Sequence, residues 1–320
     1  MISDNQKQLV DAPRIVCLLP SATEIVHGLG LSSSIVGRSH ECDFPSEIRS
    51  VPEITFAHVD STAPSDRIDE DVKNRLSKGL SLYGIHEHLL REARPDFIVT
   101  QTQCDVCAVS LADVQKFVAQ DLGIDAEVLV LEPSILNEVW QDIRNVSQAI
   151  GVIETGETLV DSLKARLETI YQRTASLPRP RVAMIEWTAP MMAAGNWVPE
   201  LVDIAGGQNL LGTTGQHSDW LTEDQLMAAD PDYIIVTPCG FDLARTKKEM
   251  LALAKLPSWA DLRAVQEGKV YAVDGNAYFN RPGPRLVESA EILAEILHPT
   301  EFSFGHADDA WERFVPGLEL

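Results

Sequence analysis

One short phrase occurs twice in this chain. Ala93-Arg-Pro-Asp-Phe-Ile-Val-Thr100 returns as Ala229-Asp-Pro-Asp-Tyr-Ile-Ile-Val-Thr237, in each case a helix end turning through proline into a buried strand. Arg14-Ile-Val-Cys-Leu-Leu19 has a counterpart in Arg181-Val-Ala-Met-Ile-Glu186, and Val128-Leu-Val-Leu131 has one in Val270-Tyr-Ala-Val273. Three matched segments in one order, roughly 140 to 165 residues apart, predict two similar α/β lobes. Strands alternating with helices imply Rossmann-like lobes with mostly parallel sheets.

Between the copies lie two helical stretches, at about 136 to 150 and about 155 to 176. The second places Leu159, Val160, Leu163, Leu167 and Ile170 on one stripe, and from Glu157 to Tyr171 it has neither glycine nor proline, so it reads as a stiff interlobe helix ending near Pro178-Arg-Pro180. The expected organisation is an N-terminal extension over 1–13, a first lobe over 14–135, connecting helices over 136–178, a second lobe over 179–299 and a tail over 300–320. Within the first lobe, Ser21 or Thr23 is expected to cap a helix that follows the opening strand, with Glu24 in its first turn. Helices are expected at Glu87–Ala93 and Leu111–Ala119. Residues 52–84 read as a polar surface loop leading into a helix, without chemistry of their own.

Ligands of parallel sheets sit beyond the C-terminal ends of the strands, and that rule selects residues. In the first lobe it points to Ser21, to His40, Glu41 and Asp43 within 40–44, and to Gln101 and Gln103 within 101–107; in the second, to Glu186 and Trp187, to Cys239 and Phe241, and to Tyr278, Phe279, Asn280 and Arg281 within 275–281. Trp197 and Trp220 lie in loops nearby, and aromatic faces there suit a large flat ligand. His217 is a loop imidazole that can serve as an axial ligand to the metal of a haem or corrinoid, or can cap nothing and stay solvated. Arg281 suits a ligand carboxylate or phosphate, or a plain ion pair.

The cysteines open a second reading. Cys104 and Cys107 have a two-residue spacer after the strand Phe97–Thr100, and His40 with Cys42 follows another strand, so four soft donors are candidates for zinc or an iron–sulfur cluster. The same residues equally form a redox pair or line a pocket. Five cysteines in 320 residues, an odd and sparse set, do not form a disulfide framework.

A net charge of -22 repels nucleic acid and anionic membrane, and no apolar run approaches the roughly 20 residues of a membrane span. Neither a Gly-x-Ser-x-Gly elbow nor a Walker loop is present, so the expectation is a binding protein and not an enzyme. The first ten residues lack a basic start, an apolar stretch and a cleavage site. The expected location is therefore cytoplasmic, or periplasmic if the N-terminus is already processed.

With those residues in view, a family likeness emerges. Arg14-Ile-Val-Cys-Leu-Leu-Pro-Ser-Ala-Thr-Glu-Ile25, the Arg-Pro-Asp-Phe-Ile-Val strand entry, the long central helix and the late Gly-x-Val-Tyr strand resemble the substrate-binding proteins of ABC importers for cobalamin, haem and ferric siderophores. His40-Glu-Cys-Asp43, Gln103-Cys-Asp-Val-Cys-Ala-Val-Ser110 and Tyr278-Phe-Asn-Arg-Pro-Gly-Pro-Arg285 are similar to the cobalamin-binding-like branch. The resemblance covers roughly residues 14 to 298. It implies the class III periplasmic-binding-protein fold, two lobes on one rigid helix, with a cobalamin, haem or other metal chelate held in the cleft. It also implies docking to an importer through a glutamate on each lobe, for which Glu24 and Glu186 are the candidates.

Overall fold

The computed structural model describes residues 12–78, 80–102 and 126–315. Gln103, Cys104, Cys107 and the helix expected at Leu111–Ala119 lie outside the described residues.

The chain opens with β1 (Ile15–Cys17), wholly buried, then α1 (Pro20–Gly28) and β2 (Ile35–Arg38). Pro20 occupies the first turn of α1, where its missing N–H costs nothing, and Leu19 precedes it without a side-chain cap. The expected caps do other work. Ser21 is buried, and Thr23 Oγ1 donates to Cys42 Sγ at 2.9 Å. An excursion follows: β3 (Thr55–Ala57), α2 (Ser65–Ser77) and β4 (Tyr83–Ile85), with β3 and β4 paired antiparallel. The two strands were not expected in this polar stretch, whose short runs carry too few apolar residues to signal sheet. Next come α3 (Glu87–Ala93), β5 (Phe97–Gln101) and β6 (Glu127–Leu131). The first sheet has the order β2-β1-β5-β6 and is parallel throughout.

Two helices bridge to the second sheet, α4 (Leu136–Ile150) and α5 (Ile153–Thr174). Gly151, with φ at 84°, turns the chain between them. They cross closely because a Cβ on Gly156 would meet Ser147 Oγ at 2.1 Å. At 22 residues α5 is about 33 Å long. It buries Val160, Leu163, Leu167 and Ile170, most of the expected stripe, and packs on α4 and on α6 and α10 of the other side.

The second half contains β7 (Arg181–Thr188), β8 (Met191–Ala193), α6 (Val198–Ile204), β9 (Gln208–Asn209), β10 (Asp219–Trp220), α7 (Glu223–Ala229), β11 (Tyr233–Val236), α8 (Leu243–Leu253), α9 (Arg263–Gln266), β12 (Val270–Val273), α10 (Leu286–Leu297) and β13 (Trp311–Arg313). Its sheet runs β10-β8-β7-β11-β12-β13, with β9 beside β7. β7, β9, β11 and β12 are parallel, while β8, β10 and β13 are antiparallel additions. β13 belongs to the tail. It covers the open edge of β12, and Glu295 fixes the approach by accepting from Gly305 N and Trp311 Nε1.

One hydrophobic cluster runs without a break from Ile15 and Val99 of the first sheet, through Val139 and Leu167 of the bridging helices, to Met184 and Leu293 of the second half. Two smaller clusters fill the outer face of each sheet. The two sheets are thus joined by a shared core as well as by chain, and both direct their C-terminal strand ends toward the same seam.

Candidate functional site

The seam contains a cleft. It is lined by Gln101 from the end of β5, Glu186 from β7, the turn Gly195-Asn196-Trp197-Val198, His217, Cys239 after β11, and Phe279, Asn280 and Pro282 after β12. It offers about 70 Å³ of room, within about 510 Å³ of empty space that includes open solvent.

Each wall residue is held from behind. Trp197 and Phe279 form the apolar floor, both buried, with Trp197 Nε1 donating to Phe279 O at 2.7 Å. Asn280 Nδ2 donates to Thr237 O and Gly275 O, so its amide is set by the ends of the strands beside it. Ser218 Oγ donates to Glu186 Oε2 at 2.7 Å and accepts from Gly195 N, which ties the His217 loop to β7 and to the turn after β8. His217 Nδ1 lies 3.0 Å from the Ser218 carbonyl. A carbonyl only accepts, so Nδ1 is the donor in this contact.

Of the residues expected at the site, Gln101, Glu186, Trp197, His217, Phe279 and Asn280 meet in this cleft. The others divide into two groups. Arg281 is buried and turned toward the first lobe, where its Nη1 reaches Asp43 Oδ1 at 2.6 Å and Glu24 Oε1 at 3.2 Å, while Nη2 donates to Asn276 Oδ1. Asn276 Nδ2 also donates to Asp43, and Arg285 lies 3.7 Å from Glu24 and over the ring of Phe44. This is an ionic clasp between lobes. Burial pushes the Glu24 carboxyl up to about 7, although both arginines pull it down. Burial works on Asp43 too, but Arg281 and Asn276 outweigh it and hold that carboxyl below its usual value. Arg281 is therefore committed to protein carboxylates, contrary to a role on ligand phosphate. Tyr278 stacks against Arg285, also in the clasp.

The second group lies off the cleft wall. His40 Nδ1 bonds Thr55 Oγ1, and burial lowers its pKa. Burial also pushes Glu41 up to about 7, with Arg281 and the Tyr83 hydroxyl drawing it back. Trp187 donates to Ala189 O and packs on Phe241, and Trp220 is exposed beneath Lys73. Ser21, in the first turn of α1, is buried.

The cysteine reading fails at Cys42. Burial drives its thiol up to about 12, its sulfur accepts from Thr23, and it packs in the main core, the setting of a structural cysteine. Cys104 and Cys107 fall outside the described residues, and among the described residues no group of three His, Cys, Asp or Glu is placed to hold a metal ion. Zinc and iron–sulfur find no support.

Cys239, which the strand-end rule placed here, is also on the wall, whereas Gly195, Asn196, Val198 and Pro282 were not singled out in advance as ligand contacts. Asn196 has φ at 50°, and the pair Gly195-Asn196 carries a recognisable turn signature, which was the signal available.

The profile of the periplasmic binding protein family matches residues 15–277. The chain belongs to that family. A periplasmic binding protein of this kind serves an ABC importer, and its work is to hold a ligand, not to transform one. An ABC transporter substrate-binding lipoprotein of Bacillus subtilis is 25% identical over 297 residues, 90% of this chain and 81% of its own length. A vitamin B12-binding protein of Vibrio cholerae is 22% identical over 290 residues, 89% of each chain. A periplasmic haem-binding protein of Roseiflexus sp. RS-1 has the same fold, with a TM-score of 0.66 at 20% identity over 91% of this chain and 100% of that one. The α/β architecture with parallel strands in both sheets is that of the class III fold.

Two expectations need correction. The lipoprotein and periplasmic relatives overturn the cytoplasmic location drawn from the N-terminal residues. Neither expected docking glutamate is suited to that work: Glu24 is 2% exposed inside the clasp, and Glu186 faces the cleft.

Proposed function

We propose that this periplasmic binding protein carries a corrinoid of the cobalamin type outside the cytoplasm and hands it to an ABC importer. The chemistry of the cleft wall supports the reading. Gln101, Asn196 and Asn280 bring three carboxamides and Glu186 a carboxylate, while no lysine or arginine is among the described lining residues. Arg281 and Arg285, the nearest cations, are taken up by Glu24, Asp43 and Glu288. A haem presents two carboxylates and many ferric siderophores are anionic, so both would enter a site whose described residues offer no countercharge, in a chain of net charge -22. A corrin ring is fringed with neutral amides, which pair with carboxamides, and its faces suit the apolar floor of Trp197 and Phe279. His217 brings an imidazole to the same wall, a donor type that the cobalt of a corrinoid would accept.

For docking, the repeat offers a pair of surfaces. α3 and α7 are matched helices of seven residues, and their first turns carry the exposed carboxylates Glu87 and Asp224, one on each lobe. These replace Glu24 and Glu186 as the importer-facing acids.

Titration with hydroxocobalamin and with haemin, followed by absorption and calorimetry, tests the ligand. The expected result is corrinoid binding at least tenfold tighter; tighter haemin binding overturns the charge argument. Glu186→Lys should move the preference toward haemin.

A further inference from the structure

We propose that residues 58–82 form a flap that latches over one side of the cleft and must release for ligand to enter. The proposal rests on the cleft being the ligand site. The flap leaves the first lobe at the paired strands β3 and β4, where His58 N donates to Leu82 O, so both of its ends are fixed at one hairpin. Its tip lies on the second lobe. Ser65 N donates to Glu249 Oε2 at 3.2 Å, and Ser65 Oγ lies 3.0 Å from Thr188 Oγ1. Arg245 of α8 donates to the carbonyls of Thr62 and Ala63, and Lys73 stands 4.5 Å over the ring of Trp220.

Three observations identify this contact as the one that opens. The first is place: Thr188, which meets the flap tip, ends the strand β7 that carries the cleft residue Glu186, so the tip rests on the same strand end as that wall. The second is size. The cleft's room of about 70 Å³ is far below the roughly 300–1,000 Å³ of small-molecule pockets, so movement of a described border would enlarge it toward that range. The third is chemistry. The flap gives its partners backbone amides, carbonyls and a hydroxyl, all of which water replaces on release, and within α2 Ser65 alone is buried. Opening the clasp would instead part the buried Arg281 from two carboxylates. The clasp is then the fixed side and the flap the moving one.

The test is a Ser65→Cys/Thr188→Cys protein, assayed oxidised and then reduced. The oxidised form should bind hydroxocobalamin and haemin with association rates at least 100-fold slower than the reduced form; equal rates overturn the flap. Hydrogen exchange of the ligand-free natural protein gives an answer that needs no ligand. Amides of residues 58–75 should exchange at least tenfold faster than those of 276–288, and faster still in Glu249→Gln; slower or equal exchange overturns the proposal. If the reduced protein binds neither probe while the exchange result holds, the ligand assignment fails and the flap stands.

Discussion

The two sheets begin alike and end differently. At the N-terminal end of the first, Arg14 N donates to Asp96 Oδ2 at 2.8 Å and Arg14 Nη2 to Ala93 O at 2.6 Å; at the second, Arg181 N donates to Asp232 Oδ2 at 2.8 Å and Arg181 Nη2 to Ala229 O at 2.6 Å. Arg94 and Asp230 both terminate their helices in the left-handed region. At the C-terminal ends the likeness stops. The first lobe presents Glu24, Glu41 and Asp43; the second presents Arg281 and Arg285 to meet them, and an amide-rich cleft wall. One end of each lobe repeats the same hydrogen bonds and sets strand register, whereas the other end differs between the lobes and carries the cleft.

The largest effect should come from the divergent ends. Arg281→Ala leaves Glu24 and Asp43 facing each other without their shared cation, and urea unfolding at pH 7.5 should show a loss of about 3 kcal/mol, mostly absent at acid pH. Less than about 1 kcal/mol would show that the clasp is not a buried ionic contact. Next are the matched ends. Arg14→Ala and Arg181→Ala should each cost about 1–2 kcal/mol, and costs differing by more than that would break the equivalence of the two bases.

The mouth of the first lobe should also carry a pH dependence. Glu41 has a folded-state pKa near 7 against an ordinary value of 4.5, so the native state holds its proton more tightly. Its contribution is present in full below pH 4.5 and is lost as pH rises through 7. Glu41→Gln should therefore be about 1 kcal/mol more stable than the natural protein at pH 8 and equal to it at pH 4.5, read from thermal melts. A gain that is independent of pH would assign the effect to something other than its charge. The smallest effect separates the two helix ends: Arg94→Gly relieves left-handed strain and should gain about 0.5 kcal/mol, while Asp230→Gly should lose stability because Arg263 pairs with that carboxylate at 2.9 Å.

What the sequence conveyed follows the same division. The matched phrases around Pro95 and Pro231 announce themselves because buried strands need unbroken apolar runs and their turns need proline and aspartate at set places. α3, α4 and β12 lie where their periodicity put them. The cleft was half readable: the strand-end rule found Gln101, Glu186, Phe279 and Asn280, since topology alone places them. It could not separate Asn280, which faces the cleft, from Arg281, which turns away to Asp43, because the direction of neighbouring side chains in a loop depends on contacts across the seam. The flap was missed for a related reason. Its partners Thr188 and Glu249 are more than a hundred residues distant, and no local pattern encodes a hydroxyl meeting a hydroxyl.

The strand β13 has a consequence in time. Every strand of the first sheet has been made once Leu131 leaves the ribosome, so that sheet can close early. The outer edge of β12 has no partner until Trp311–Arg313 are synthesised. Until then the second half exposes an unpaired edge that other chains can join, so completing this lobe quickly at the end of synthesis or export is the step at which aggregation and folding compete.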